Sequence, residues 1–148
     1  MPGRKDIERL QEELEELFDD LWRVPRFAGL RRGFRPQVDC FRTDDPAELR
    51  IVVELAGIDP NDVALRLADG DLLIAGVRRR PSPRGRMSFQ LMEIDYGPFQ
   101  RRIPLAEPID ASKARATYER GLLTIVLPVA ERPRRTTAKV SIRVQGIR

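Results

Sequence analysis

The sequence contains no histidine and a single cysteine, Cys40, among its 148 residues. Without an imidazole, the chain can form neither a Ser-His-Asp or Cys-His catalytic group nor a His-ligated metal site. A lone thiol closes no disulfide within its own chain and builds no zinc cluster, which suits a reducing compartment. We interpret Cys40 as a small strand residue, with a redox role or an intermolecular bridge as the alternatives.

Long apolar runs and a nucleotide-binding loop are also missing. No stretch reaches the ~18 apolar residues of a membrane span, and the first residues do not resemble a signal peptide, so a cytoplasmic location is expected. The Gly-x-x-x-x-Gly-Lys-Ser/Thr loop is absent. The adjacent carboxylates Asp19-Asp20 and Asp44-Asp45 fit a helix surface and a turn better than an acid–base pair. The sequence therefore predicts a protein that is not an enzyme and that has no cofactor or metal site.

Aromatic residues make up only 6% of the chain, although 34% of it is charged and the net charge is +4. Arginines concentrate at 78–86 and 132–135, beside prolines, while Glu and Asp dominate 6–20. No aromatic residues interleave with these arginines to stack on bases, so specific nucleic-acid binding is not expected.

The first segment, 1–35, is predicted to be an arm with a short amphipathic helix. Ile7, Leu10, Leu14, Leu17 and Leu21 recur at helical spacing, opposite a face of acidic residues. Two heptads are too few for an independent coiled coil, so this seam packs on its own domain, between subunits or against unfolded clients. The residues predicted to bind clients are apolar and lie in this arm: Leu14, Leu17, Phe18, Leu21, Trp22, Phe27 and Phe34.

The second segment, 36–128, is predicted to be all-β. Asp69-Gly70 between two alternating runs is typical of a hairpin, and Glu119 to Gly121 form a second tight turn. Short strands separated by turns describe a β-sandwich. The runs of alternating apolar residues are 49–55, 63–67, 72–77, 87–91, 99–105, 114–118 and 123–127.

The third segment, 129–148, is a basic tail with one apolar feature. Val140, Ile142 and Val144 alternate with polar residues after a stretch that is too polar to pack alone. An extended apolar triplet of this kind suits docking by strand addition.

Several motifs, in order along 36–128, resemble the small heat-shock proteins. Pro36-Gln37-Val38-Asp39 is similar to the family's Pro-x-Val-Asp, and Glu54-Leu55-Ala56-Gly57 to its Glu-Leu-Pro-Gly, with Ala56 in place of the usual Pro. The stretch 72–79 is similar to Leu-x-Ile-x-Gly-x-Arg. The stretch 96–105 is similar to Tyr-Gly-x-Phe-x-Arg-x-Phe-x-Leu, and 116–128 to Ala-x-Tyr-x-x-Gly-Val-Leu-x-Ile-x-Leu-Pro.

This resemblance implies an immunoglobulin-like β-sandwich, the alpha-crystallin domain, between the helical arm and the extended tail. It implies that the strand at 87–93 crosses to a second subunit, with a dimer interface at Val38, Cys40, Met87, Phe89, Leu91, Glu93 and Arg101. It also implies a docking groove formed by Val63, Leu65, Leu67, Ala116 and Tyr118. The docked motif is either Val140-Ser141-Ile142 or Ile142-Arg143-Val144, and dimers linked by tails would form larger homo-oligomers.

The function implied is that of an ATP-independent holdase, which binds partly unfolded proteins and prevents their aggregation. Burial of exposed apolar surface is favourable without nucleotide, and the charged remainder keeps a complex soluble. The alternative is a monomeric β-sandwich co-chaperone or adaptor, against which the predicted strand-bearing loop at 78–93 and the tail motif both argue. We also expect Arg101 to have a carboxylate partner near the dimer-forming edge.

Overall fold

A computed structural model describes residues 34–131 and 138–145, and within these ranges the chain forms nine β-strands in two sheets. One sheet has the order β1-β2-β7-β6-β9, and the other has the order β5-β4-β3-β8. The strands are β1 (Val38–Asp44), β2 (Ala47–Glu54), β3 (Val63–Ala68), β4 (Asp71–Arg78), β5 (Gly97–Pro104), β6 (Arg115–Glu119), β7 (Leu122–Pro128), β8 (Ala138–Val140) and β9 (Ile142–Val144). Two single 3₁₀ turns, Pro60–Asp62 and Ala111–Lys113, connect them.

The all-β sandwich predicted from the sequence is confirmed. The predicted helix of the N-terminal arm lies outside the described residues. The division into segments at 35 and 128 stays a prediction.

Alternating apolar residues build the core between the two sheets. Along β2, the residues with odd numbers face inward, and Ile51, Val53 and the following Leu55 are fully buried. Because successive strand residues point to opposite faces, this period of two places one apolar row in the core and a polar row outside. The fully buried side chains that share this core with them include Leu72, Ile74, Leu123, Ile125 and Leu127.

Two tight hairpins have the backbone that their sequences predict. Asp69 and Gly70 connect β3 to β4 with φ of 50° and 79°, and Arg120 and Gly121 connect β6 to β7 with φ of 52° and 78°. Two consecutive positive φ values define the turn that matches the twist of antiparallel strands. At Gly121, an added Cβ would also lie 3.2 Å from the Cα of Ala56, so the turn packs closely on the bend that follows β2.

The predicted strand at 87–91 does not form within the single chain. Residues 79–96, between β4 and β5, contain no strand, although they carry the alternating apolar pattern. The two strands that flank the loop, β4 and β5, pair directly with each other along their whole lengths, and β5 is the last strand of its sheet. Residues 79–96 therefore connect two neighbouring strands without adding a strand of their own. We call residues 79–96 the apolar loop.

Candidate functional site: a tail-filled groove and an exposed loop

The tail, residues 138–145, lies along the same end of both sheets and closes the sandwich there. β8 pairs antiparallel with β3, which places Val140 opposite Leu65. β9 pairs parallel with β6, which places Ile142 opposite Ala116. Ser141 is the single residue at which the tail passes from one sheet to the other. The tail therefore fills the gap between the two edge strands, β3 and β6.

Two tail side chains enter the core and the third does not. Val140 is buried, Ile142 is half-buried, and both pack on the core cluster. Val144 is 61% exposed. Of the two alternatives left open by the sequence, Val140-Ser141-Ile142 is the triplet seated in this structure. Its binding to a second subunit stays a prediction, because the groove here holds the tail of the same chain.

The residues predicted to form the groove lie at two different depths. The β3 residues Val63, Leu65 and Leu67 and the β6 residue Ala116 are buried in the core. Tyr118 is half-buried, and its hydroxyl donates a hydrogen bond of 2.7 Å to the carbonyl oxygen of Leu55. Tyr118 thus holds the bend after β2. Backbone contact continues past the apolar triplet, since the amide of Gln145 donates to the Tyr118 carbonyl at 3.1 Å.

Burial of the tail stabilises this contact by a modest amount. A fully buried aliphatic side chain contributes about 1.5–3 kcal/mol, and a half-buried one contributes less. Together Val140 and Ile142 contribute roughly 2–5 kcal/mol before the cost of ordering the tail. A contact of this size can open and close reversibly.

The apolar loop exposes large hydrophobic side chains. Its exposed fractions run from 46% at Met87 and Phe89 to 73% at Leu91. Met92 and Ile94 are also exposed, at 58% and 60%. A contiguous group of exposed apolar side chains marks an interaction surface in a soluble protein. The structure therefore brings Met87, Phe89 and Leu91 together on one loop, with their predicted dimer role still untested.

Stacked arginine and aromatic side chains hold the two ends of the apolar loop. The Arg78 guanidinium lies 3.6 Å from the ring centre of Phe34 and 5.3 Å from that of Tyr96. Arg80 lies 4.5 Å from the Tyr96 ring and 4.9 Å from the Phe89 ring. Cation–π contacts of this kind each contribute about 0.5–1 kcal/mol at exposed sites. No local sequence pattern indicates this stack, because only the fold brings these residues together.

Phe34 is the one predicted client-binding residue within the described ranges, and it packs on its own domain. Its ring meets Phe99 edge-to-face with centroids 5.7 Å apart and planes at 83°. Phe99 is buried in the core. Phe34 would have to leave this contact before it could bind a client. The other predicted client-binding residues, Leu14, Leu17, Phe18, Leu21, Trp22 and Phe27, lie outside the described residues.

Within this single chain no carboxylate among the described residues contacts Arg101, and a carboxylate partner at the dimer-forming edge stays a prediction. The Arg101 side chain instead donates a 2.7 Å hydrogen bond from Nη1 to the carbonyl oxygen of Pro36. Arg101 shares the inward face of β5 with Phe99 and Ile103, so burial and, secondarily, the nearby charge of Arg35 lower the pKa of its guanidinium. The bond fixes the chain where it approaches the sandwich. Two other residues predicted at the dimer interface lie on β1, where Val38 is half-buried and Cys40 is exposed. Glu93, also predicted there, is exposed on the apolar loop.

A match to the Hsp20/alpha crystallin family model covers residues 42–145, which is more than half of the chain. The chain belongs to the Hsp20/alpha-crystallin family. It is 32% identical over 136 residues to an alpha-crystallin of Mycobacterium tuberculosis, covering 88% of each chain. It is 27% identical over 129 residues to small heat shock protein C2 of Rickettsia felis, covering 87% of this chain and 81% of that one.

Solved structures in the Hsp20/alpha-crystallin family share the fold. A small heat-shock protein from Xylella fastidiosa matches with a TM-score of 0.58 at 33% identity, over 70% of this chain and 95% of that one. Members of this family are chaperones rather than enzymes. Among the residues that the structure describes, no group of three or more His, Cys, Asp or Glu side chains could hold a metal ion. Within the same ranges, no helix is long and apolar enough to cross a membrane.

An ion-pair triad of two partly exposed arginines around the buried Glu48, on β2 and β6, is a feature that the sequence pattern did not predict. Glu48 is only 4% exposed and accepts 3.1 Å hydrogen bonds from Arg50 and Arg115. Burial by itself raises the pKa of the Glu48 carboxyl, but the hydrogen bonds and charges of the two arginines outweigh it and hold that pKa below its usual range. In the alternation of β2, Glu48 belongs to the outward row. Outward positions of a strand are expected to be exposed, so the alternation did not predict that arginine side chains would bury the Glu48 carboxylate.

Cys40 matches its interpretation as a small strand residue. It lies on β1 opposite Ile51 as a free thiol. Partial burial raises the pKa of the Cys40 thiol, which keeps it protonated and weakly nucleophilic near neutral pH.

Proposed function

We propose that this protein is an ATP-independent holdase that binds partly unfolded proteins and prevents their aggregation under heat or other stress. The observation that carries the proposal is the tail seated in the groove by only two apolar side chains, Val140 and Ile142. A contact of a few kcal/mol opens on warming. Its release uncovers apolar surface on β3 and β6 at the temperature at which clients unfold.

Three apolar elements can then cover a client. They are the edges of β3 and β6, the apolar loop, and the predicted client-binding residues of the arm. Burial of apolar surface is favourable in proportion to its area and needs no nucleotide. Mobile apolar segments re-pack around many shapes, so client specificity is broad. The charged surface keeps the complex in solution.

Self-association is part of the proposal. The apolar loop presents side chains that a second copy can cover, with the predicted interface at Val38, Cys40, Glu93 and Arg101 beside it. A solved relative from Xylella fastidiosa has a distinct high-order structure, which supports assembly beyond the dimer. We further propose that the protein acts in the cytoplasm, that it needs no cofactor, and that its partners are unfolded clients and itself rather than nucleic acid.

Light scattering of a thermolabile enzyme, heated with an equimolar amount of the full chain, tests the holdase activity. We expect suppression of scattering to the same extent with and without ATP. Changing Leu14, Leu17 and Phe18 together to Ser should reduce suppression several-fold. The matched change of Arg31, Arg32 and Arg35 to Ser, in the same arm, should leave it. No suppression by the full chain, or suppression only with ATP, would contradict the proposal.

The alternative is a monomeric β-sandwich co-chaperone or adaptor, and native mass measurement separates the two. A chain that uses its apolar loop for pairing is a dimer or larger at micromolar concentration. A chain that stays monomeric at all concentrations would favour the adaptor.

A further inference from the structure

The outer face of the sheet β5-β4-β3-β8 carries a row of three cationic side chains. Arg102 on β5 lies opposite Leu73 on β4, Leu73 lies opposite Arg66 on β3, and Arg66 lies opposite Lys139 on β8. Because directly paired residues share a face, all four side chains are on the side away from the core. We call Arg66, Arg102 and Lys139 the basic face.

The basic face is partly apolar as well as charged. Leu73 and Ala75 are 7% and 0% exposed although they lie on the outer side of the sandwich. The charge of Arg102 is offset by its ion pair with the mostly buried Asp71. The Nε atom of Arg66 is buried and has no hydrogen-bond partner among the described residues. A buried donor without an acceptor is costly, so this face is suited to an acidic partner.

An acidic segment precedes Phe34 in the sequence, and Phe34 lies at the edge of this sheet. The amide of Phe34 donates a 3.3 Å hydrogen bond to the carbonyl of Pro98, at the start of β5 and beside β4. Phe34 therefore lies at the β5 edge of the sheet that carries the basic face. The segment 12–20 holds six carboxylates: Glu12, Glu13, Glu15, Glu16, Asp19 and Asp20.

The connection is long enough for this segment to reach the whole face. Residues 21–33 can extend by about 3.3 Å each, to roughly 40 Å. Four strands spaced about 4.8 Å apart make a sheet roughly 15 Å wide. Opposite charges within a few ångströms attract even near a surface, and the attraction weakens with salt.

We propose that the basic face binds the acidic side of segment 12–20 of the same chain. In the helix predicted for this segment, the acidic residues lie opposite the seam of Leu10, Leu14, Leu17 and Leu21. Docking through the carboxylates holds the arm against the sandwich and leaves the apolar seam pointing outward. The inference is independent of holdase activity, because its test measures contact and not chaperone function.

Zero-length cross-linking with a carbodiimide, followed by peptide mass spectrometry of the full chain, tests the proposal. The reagent joins an amine to a carboxylate in direct contact, so we expect a bond between Lys139 and one of the carboxylates at 12–20. The yield should fall several-fold in 0.5 M salt (about a 4–5 Å screening length). Mixing subunits with and without nitrogen-15 label shows whether the joined peptides share a chain.

Reversing charges on the basic face and in segment 12–20 tests which side chains are in contact. Arg66→Glu should lower the Lys139 cross-link at least about five-fold, whereas Arg84→Glu, the same change in the apolar loop, should leave it. Combining Arg66→Glu with Glu16→Lys should create a new cross-link between positions 16 and 66. Circular dichroism checks that each variant is folded, and Arg66→Gln replaces Arg66→Glu if that variant is not.

Each possible result of the cross-linking either supports or overturns the proposal. Bonds within one chain that respond to Arg66 and salt support the proposal. Bonds only between differently labelled chains would overturn it in favour of a second copy as the occupant. The absence of any bond from Lys139 to 12–20, or a yield unaffected by Arg66→Glu, would overturn it altogether.

Discussion

The apolar loop and the tail carry the same kind of sequence pattern and have different structures. Both place apolar residues at alternate positions in a polar stretch. In the tail, Val140 and Ile142 pair with strands of their own chain and pack on the core. In the loop, Met87, Phe89 and Leu91 remain exposed and unpaired in this chain.

The difference lies in what each segment can reach. The tail meets β3 and β6, each of which would be an edge strand without it. The loop connects β4 and β5, which already pair with each other. An alternating pattern therefore predicts a segment that can form a strand, and a free edge decides whether it does so. The loop pairs with no described strand of its own chain, although β5 ends its sheet, and its pairing with a second molecule stays a prediction.

The largest expected effect is removal of the tail contact. Changing both Val140 and Ile142 to Ala should lower the free energy of unfolding by about 2–4 kcal/mol and reduce the assembly towards dimers. Truncation after Arg135 should do the same. Val144→Ala is the matched control and should change neither, because Val144 is largely exposed. Sedimentation and urea unfolding measure both effects. An unchanged subunit number in the double variant would show that the tail does not link subunits.

Changes in the apolar loop should weaken the dimer strongly and change the stability of the single chain little. Changing Met87, Phe89 and Leu91 together to Ser should lower the unfolding free energy of the isolated chain by only about 1 kcal/mol or less. These side chains are exposed, and the main intrachain loss is the contact of Phe89 with Arg80. The dimer dissociation constant should rise at least about ten-fold, because a subunit interface would lose its apolar side chains. The control changes Arg84, Arg86 and Gln90 to Ser. Analytical ultracentrifugation decides, and equal dimer constants in the two variants would argue against pairing through the loop.

Arg101 lies on β5, where the chain returns from the apolar loop to the sandwich, and it can be compared with an arginine of the loop itself. Arg101→Met keeps the aliphatic stem but removes the hydrogen bond to the Pro36 carbonyl. We expect a loss of about 1–2 kcal/mol in unfolding free energy, against less than about 0.5 kcal/mol for Arg84→Met in the exposed loop. Thermal melts of both variants give the difference. If Arg101→Met melts like the wild type, the bond to Pro36 does not stabilise the fold.

The smallest effect concerns Glu48, on the sandwich that both regions share. Its pKa in the folded chain is below the ordinary value. The stability it contributes is therefore present above the unfolded pKa of about 4.3 and lost as the pH falls through the folded pKa. Glu48→Gln should lower the melting temperature at pH 7, and the two melting curves should converge in acid. Glu54→Gln, at an exposed position of the same strand, is the control. If the difference in melting temperature between the wild type and Glu48→Gln stayed the same in acid, the assignment would be contradicted.

Most of the sandwich follows from local sequence. The alternation from Leu49 to Leu55 and the turns at Asp69-Gly70 and Arg120-Gly121 depend only on neighbouring residues, which is why their strands and hairpins were predicted correctly. The hydrogen bond from Arg101 to the Pro36 carbonyl was not predicted, because the two residues are sixty-five positions apart in the sequence. The burial of Glu48 was missed for the same reason, since Arg115 comes from another strand.

By itself, the sequence determined the fold class, the positions of most strands, the family and the alternating apolar pattern of the tail and of the loop. These depend on periodicity, turn residues and motifs, which act over a few residues. Only the tertiary structure decided that Val140 and Ile142 enter the core while Val144 does not, and that residues 79–96 form no strand in this chain. It also decided that three cations from three strands form one face. Such outcomes depend on which strands become neighbours, and neighbouring strands are set by packing of the whole sandwich rather than by any single segment.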